Sequence, residues 1–169
     1  VQDYFFIVGS GRSGTTLLSV ILDRHTRLCV TPETAFFDEV APSLVEGDDD
    51  RLIAVLGSWR RLPELGLKPE DVRQKIGATQ WGTTDVLAAI LDLYALRSGK
   101  IRCGEKTPQH LVHVPEILRC FPQAKVICVL RGCMGHRRTE AGREELAFLE
   151  RFLHNDLRRH GYEPDTRML

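Results

Sequence analysis

Apolar positions along the chain follow two patterns, continuous runs and helical spacing. Tyr4–Val8 and Val126–Leu130 are unbroken runs of aromatic, β-branched and other apolar residues, the composition of strands buried in a parallel sheet. Leu28–Val30 and Ile101–Gly104 are shorter and read as brief strands. After Thr15 the residues Leu17, Leu18, Ile21 and Leu22 recur at the spacing of a helix face. A helical insert over about 35–98 opens with a short helix at Ala35-Phe36-Phe37 and continues as three helices within residues 51–98. The first carries Leu52, Ile53, Val55 and Leu56 and stops near Gly57. Pro69 opens the second, with Val72 and Ile76 on one face. Thr83 or Thr84 caps the third, which runs through Val86, Leu87, Ile90, Leu91 and Tyr94 to Gly99. Pro108 begins a further helix through Leu111, Val112, Ile117 and Leu118, and Glu144–His160 reads as an amphipathic helix stopped by Gly161.

The first strand and first helix are joined by Gly9-Ser10-Gly11-Arg12-Ser13-Gly14, too rich in glycine and serine to continue either element. Strand, glycine loop and helix form a cradle for an anion. Glycines let backbone N–H groups turn toward it, and the helix N-terminus adds its dipole. The spacing Gly9-x4-Gly14 is that of nucleotide triphosphatases, but those carry Lys where Thr15 stands. Here two hydroxyls, Thr15 and Thr16, follow the loop, and Arg12 inside it can grip an anion with a planar fork. The pattern points to a phosphate-like group held without magnesium chemistry.

Composition narrows the classes further. With 169 residues, 43% hydrophobic and 27% charged, the chain is expected to form a single domain over 1–169. Lys plus Arg equals Asp plus Glu at 23 each, so no global field attracts nucleic acid. No apolar run reaches the roughly 18 residues of a membrane span. The first strand starts almost at residue 1 with no secretory signal before it, so the reading expects a cytoplasmic chain or one whose upstream anchor has been cut away. The 5 cysteines include no C-x-x-C pair. Cys120 and Cys128, among apolar neighbours, read as buried reduced thiols, and zinc-ligand spacing is missing. Glu46-Gly47-Asp48-Asp49-Asp50 reads as a solvated acidic turn, and Trp59 and Trp81 as packing residues.

GSGRSGTTLLSVILDRH resembles the 5′-phosphosulfate loop of sulfotransferases that use 3′-phosphoadenosine 5′-phosphosulfate (PAPS), in the bacterial and tyrosylprotein-type branch. Two further stretches agree in order, GEKTP with HLVHVPEIL and FPQAKVICVLR. The resemblance implies a P-loop-like three-layer α/β domain, a parallel sheet flanked by helices, with Tyr4–Val8 and Val126–Leu130 adjacent. It implies PAPS as co-substrate, a small-molecule or peptide acceptor, and no metal. Gly11, Arg12, Ser13, Gly14, Thr15 and Thr16 would hold the 5′-phosphosulfate. Glu33, in a segment reading PETAFF, would be the base that takes the acceptor's proton; its other reading is a favourable charge at the start of the next helix. Lys106 would approach the transferring group and Arg131 would grip the 3′-phosphate. His110 and His113 read as plain helix residues.

After Arg131 the pattern departs from the family. Gly132-Cys133-Met134-Gly135-His136-Arg137-Arg138 replaces the usual continuation, and Thr139 stands at the spacing of the family serine. The atypical part, 132–169, reads as a natural deletion or a reading-frame scar, which leaves the fold incomplete on this side. Two other readings stay open: a truncated, non-catalytic remnant that binds an adenosine phosphate, and a P-loop nucleotide kinase.

Overall fold

The computed structural model describes residues 4–77 and 80–129. They belong to the first of two compact units, Val1–Leu130 and Arg131–Leu169. In chain order the strands are β1 (Phe5–Gly9), β2 (Leu28–Val30), β3 (Arg102–Lys106) and β4 (Lys125–Val129), all parallel in the order β2-β3-β1-β4. The two long apolar runs do lie side by side, with Phe5 opposite Lys125 and Gly9 opposite Val129. Strands β1 and β4 are each displaced by one residue from the apolar runs that mark them, β2 coincides with its run, and β3 starts one residue later and runs on to Lys106. Among the described residues β4 ends the sheet; Lys125 is exposed and Val126, Ile127, Cys128 and Val129 are half-buried.

Strand alternation sends the residues of β1 to two cores. Phe6 joins Tyr4, Cys29 and Cys103 in the larger core, built with the helical insert; Phe5 and Ile7 face Val30, Leu18 and Leu22 on the other side. Helix α1 (Thr15–Asp23) therefore covers one face with only half of its apolar stripe. Leu18 and Leu22 point to the sheet, while Leu17 and Ile21 are 67% and 57% exposed. The insert covers the other face. It comprises α2 (Phe36–Glu39), α3 (Asp49–Ser58), α4 (Pro69–Ile76) and α5 (Thr83–Arg97). Leu52, Leu56, Val72, Val86, Leu87, Ile90 and Leu91 are almost wholly buried there, each contributing about 1.5–3 kcal/mol by leaving water.

Three local expectations are corrected. Helix α5 is capped by Gly82, whose N–H donates to Asp85 Oδ2 at 2.9 Å, so Thr83 and Thr84 already belong to the helix. The acidic stretch is exposed as expected, but the turn is confined to Glu46 and Gly47, and Asp48–Asp50 cap and open α3. Asp48 accepts from the Arg51 N–H at 2.9 Å, and Asp49 pairs with Arg73 (2.7 Å) and accepts from Trp81 Nε1. Unpaired N–H groups and the helix dipole draw carboxylates to that position. The helix after Pro108 is broken into a 3₁₀ stretch, Pro108–His113, and α6 (Val114–Cys120). Pro115 has no N–H for the Leu111 carbonyl and would clash with it in a continuous helix.

Trp59 and Trp81 are core residues as expected. Among the described residues Cys29 and Cys103 are buried thiols, whereas Cys120 and Cys128, expected to be buried, are only partly covered. No helix among the described residues is long and apolar enough to cross a membrane.

Candidate active site

Parallel strands bring their carboxyl ends to one edge of the sheet, and the singled-out residues of the described chain gather there. After Gly9 the chain turns through Ser10–Gly14 into α1. The Ser13 N–H closes the turn on Ser10 O at 3.2 Å, and the backbone enters the left-handed region at Arg12 (φ 62°) and Gly14 (φ 105°). For an arginine that conformation costs about 1–2 kcal/mol, and it leaves the side chain exposed. Gly9 is required by close approach: a Cβ there would stand 2.4 Å from Val129 O and 3.0 Å from Ser13 Oγ.

The loop suits an anion on its own geometry. Ser13 Oγ is buried and has no partner among the described residues, a condition that costs about 1–3 kcal/mol until a partner satisfies it. The N-cap of α1 is a glycine with no side chain to bond the first N–H groups, which stay available to a ligand. Gly11, Arg12, Gly14 and Thr16 are exposed, whereas Thr15 is buried.

Glu33 and Lys106 form an ion pair, Nζ to Oε1 at 2.7 Å, with the lysine side chain 9% exposed and the glutamate 38%. The pair spans neighbouring strands. Thr31 N–H donates to Gly104 O at 2.9 Å, which carries the β2–β3 pairing beyond Val30, and Glu33 follows Pro32. Glu33 stands before α2, outside its first turn, which carries Asp38 and Glu39 instead; its carboxylate is committed to Lys106. Arg61, reaching in from the insert, donates to the Glu33 carbonyl at 3.0 Å and pairs with Glu39 at 3.1 Å.

Lys106 lies opposite Ile7 on the adjacent strand. The glycine loop therefore begins two residues further along, about 7 Å at roughly 3.3 Å per residue. Beside the lysine is a cleft of about 330 Å³ lined by Ser19, Asp23, Thr31, Tyr94 and others. Thr31 Oγ1 is buried without a partner among the described residues. Burial, then the nearby Asp23 carboxylate, push the Tyr94 phenol above its ordinary range, which keeps it a neutral donor.

A family model described as "Sulfotransferase family" matches residues 4–159. The chain belongs to the sulfotransferase family. No curated protein matches it. Among solved structures it is similar to the sulfotransferase STF9 from Mycobacterium avium, at 16% identity and a TM-score of 0.38. That match covers 99% of this chain and 58% of the STF9 chain, so this sulfotransferase-family chain spans less than two thirds of the other's length.

Within this family member the structure brings Glu33 and Lys106 into contact and sets the loop residues on the adjoining strand end. Arg131 and Thr139 lie outside the described residues. Sequence reasoning passed over Arg61, Glu105, Thr34 and Thr107 and read His110 as a plain helix residue; Arg61 bonds the Glu33 carbonyl, and the other four bond one another beside the pair. The available signal was Glu105 itself, a charged residue whose neighbour Lys106 faces the site and whose own side chain must therefore face the other way.

Proposed function

We propose that this chain transfers a sulfuryl group from PAPS to a hydroxyl or amine on a small-molecule or peptide acceptor. The observation that supports it is the 2.7 Å Lys106–Glu33 pair, at the strand ends next to an anion loop whose buried serine hydroxyl has no partner among the described residues. The loop N–H groups, Ser13, Thr15, Thr16 and the Arg12 guanidinium hold the 5′-phosphosulfate. Arg131 grips the 3′-phosphate, and Thr139, which stands at the spacing of the family serine beyond the point where the pattern departs, offers it a hydroxyl.

Glu33 accepts from Lys106 through Oε1, which leaves Oε2 to face the acceptor hydroxyl. The acceptor oxygen forms a bond to sulfur, and its proton passes to Glu33. The bond from sulfur to the bridging oxygen breaks, and its electron pair stays on the phosphate. Lys106 and Arg12 offset the charge that builds on that oxygen. The released product is adenosine 3′,5′-bisphosphate.

Isothermal titration with adenosine 3′,5′-bisphosphate tests the nucleotide site; tight binding is expected, and no binding would favour the non-catalytic remnant. With PAPS and a transferable acceptor, Glu33→Gln should lower turnover by about 100-fold or more with affinity for the bisphosphate nearly unchanged. A variant that loses thermal stability but keeps its turnover would make Glu33 structural.

A further inference from the structure

On the opposite side of the same backbone from Lys106 lies a fully buried carboxylate, Glu105. Its Oε1 accepts from the hydroxyls of Thr34 (2.8 Å) and Thr107 (2.5 Å), and its Oε2 lies 3.1 Å from His110 Nδ1. An ionised carboxylate only accepts. Both hydroxyl hydrogens and the Nδ1 hydrogen must therefore point at it, which turns the remaining lone pairs of these three side chains outward.

Those lone pairs meet four consecutive backbone donors. Thr107 Oγ1 accepts from the N–H groups of Thr34 (3.0 Å) and Ala35 (3.1 Å). Thr34 Oγ1 accepts from Phe36 N–H at 3.2 Å, and His110 Nε2 from Phe37 N–H at 3.4 Å. His110 Nε2 also faces Asp38 Oδ2, but at 3.7 Å. The turn that receives these bonds follows Glu33 directly and contains Ala35 in the left-handed region (φ 47°), a conformation that must be held by its surroundings. Burial alone would push the Glu105 carboxyl up; His110, Thr107 and Thr34 outweigh it and hold the carboxyl below its ordinary value.

We infer that Glu105 is a positioning residue. By fixing the hydrogen-bond direction of Thr34, Thr107 and His110, it locks the 33–37 turn to the end of β3 and so holds Glu33 against Lys106. The inference rests on the proposed role of that pair in transfer. Residues 33–34 and 105–107 are thus tied twice, by the ion pair on the open side and by the carboxylate node on the buried side.

Glu105→Gln keeps the volume but puts an NH₂ donor in place of one acceptor oxygen: turned to the Thr34 and Thr107 hydroxyls it forces their hydrogens back toward the turn's N–H groups, and turned to His110 it meets Nδ1. Nδ1 could accept it only if the ring hydrogen moved to Nε2, where it would confront the Phe37 N–H. Thr107→Val keeps the shape and removes the hydroxyl, while Thr107→Ser restores it. In the full chain, with PAPS as donor and 4-nitrophenol as the probe acceptor, Glu105→Gln and Thr107→Val should lower kcat by about 100-fold, the effect of a misplaced reacting pair. Affinity for adenosine 3′,5′-bisphosphate should change by less than about twofold, and Thr107→Ser should recover most of kcat.

Crystal structures of the variants supply a readout that needs no turnover. The Lys106–Glu33 contact, 2.7 Å in the unaltered chain, should open beyond hydrogen-bond distance in Glu105→Gln and Thr107→Val and close again in Thr107→Ser. A contact that persists in Thr107→Val, or in a folded Glu105→Gln, overturns the inference. If Glu105→Gln fails to fold, the Thr107 pair decides. If the unaltered chain binds no adenosine 3′,5′-bisphosphate and transfers nothing, yet the contact opens as described, the proposed activity fails while the positioning role stands.

Discussion

Arg12 is exposed and held at φ 62° in the turn between β1 and α1. A side chain placed this way supports no core, so its removal should be felt by a ligand and not by the fold. Arg12→Ala is expected to weaken adenosine 3′,5′-bisphosphate by about 1.5–3 kcal/mol, the worth of a charge-assisted bond. Its thermal midpoint should stay close to that of the unaltered chain. Calorimetric titration and melting of the same samples measure both quantities; an unchanged affinity would remove Arg12 from the anion site. Glu33 and Lys106 behave differently, because each is the other's partner and the removal of either leaves a charge without one.

At the scale of elements, the closest fit is between β1 and β3. Gly104 lies opposite Phe5, and a Cβ there would fall 2.1 Å from the Phe5 ring. That ring fills the space a side chain on β3 would take. Gly104→Ala should therefore force the ring or the strand to shift, at a cost of about 1–3 kcal/mol, read as a lower urea midpoint. Combining it with Phe5→Leu should cost less than the two single changes added together; simple additivity would show that the clash is relieved elsewhere. The same tight pairing carries Lys106, two residues after Gly104, to its place opposite Ile7.

Across the whole described unit, one buried charge couples folding to pH. The Glu105 carboxyl is held below its ordinary value of 4.5, so the folded chain binds that proton more weakly than the unfolded chain does. Its contribution to stability is complete above about pH 4.5 and is lost as the pH falls through the lower folded value. The groups facing it are the Thr34 and Thr107 hydroxyls and His110, whose far nitrogen looks toward Asp38. Urea unfolding between pH 3 and 6 should show an acid limb that becomes shallower in Glu105→Gln. Equal slopes in the two proteins would mean that other carboxylates carry the acid sensitivity.

The strands, the glycine loop and the helices of the insert were legible in the chain because each rests on local rules. Apolar runs, helical periodicity and the proline at the start of α4 need no distant partner to be read. The loop could be recognised for the same reason: Gly9, Gly14, Arg12 and the hydroxyls lie within a few residues of one another. Tertiary structure decided what depends on strand order and side-chain direction. Placing β3 between β1 and β2 joins Glu33 to Lys106, 73 positions apart in sequence. Alternation along β3 turns Glu105 into the core, where burial makes an acceptor-only carboxylate collect the donors of Thr34, Thr107 and His110. Alternation with Lys106 gives the side chain its direction, but no local pattern supplies its partners, and its charge is tolerated only where the folded chain provides those donors.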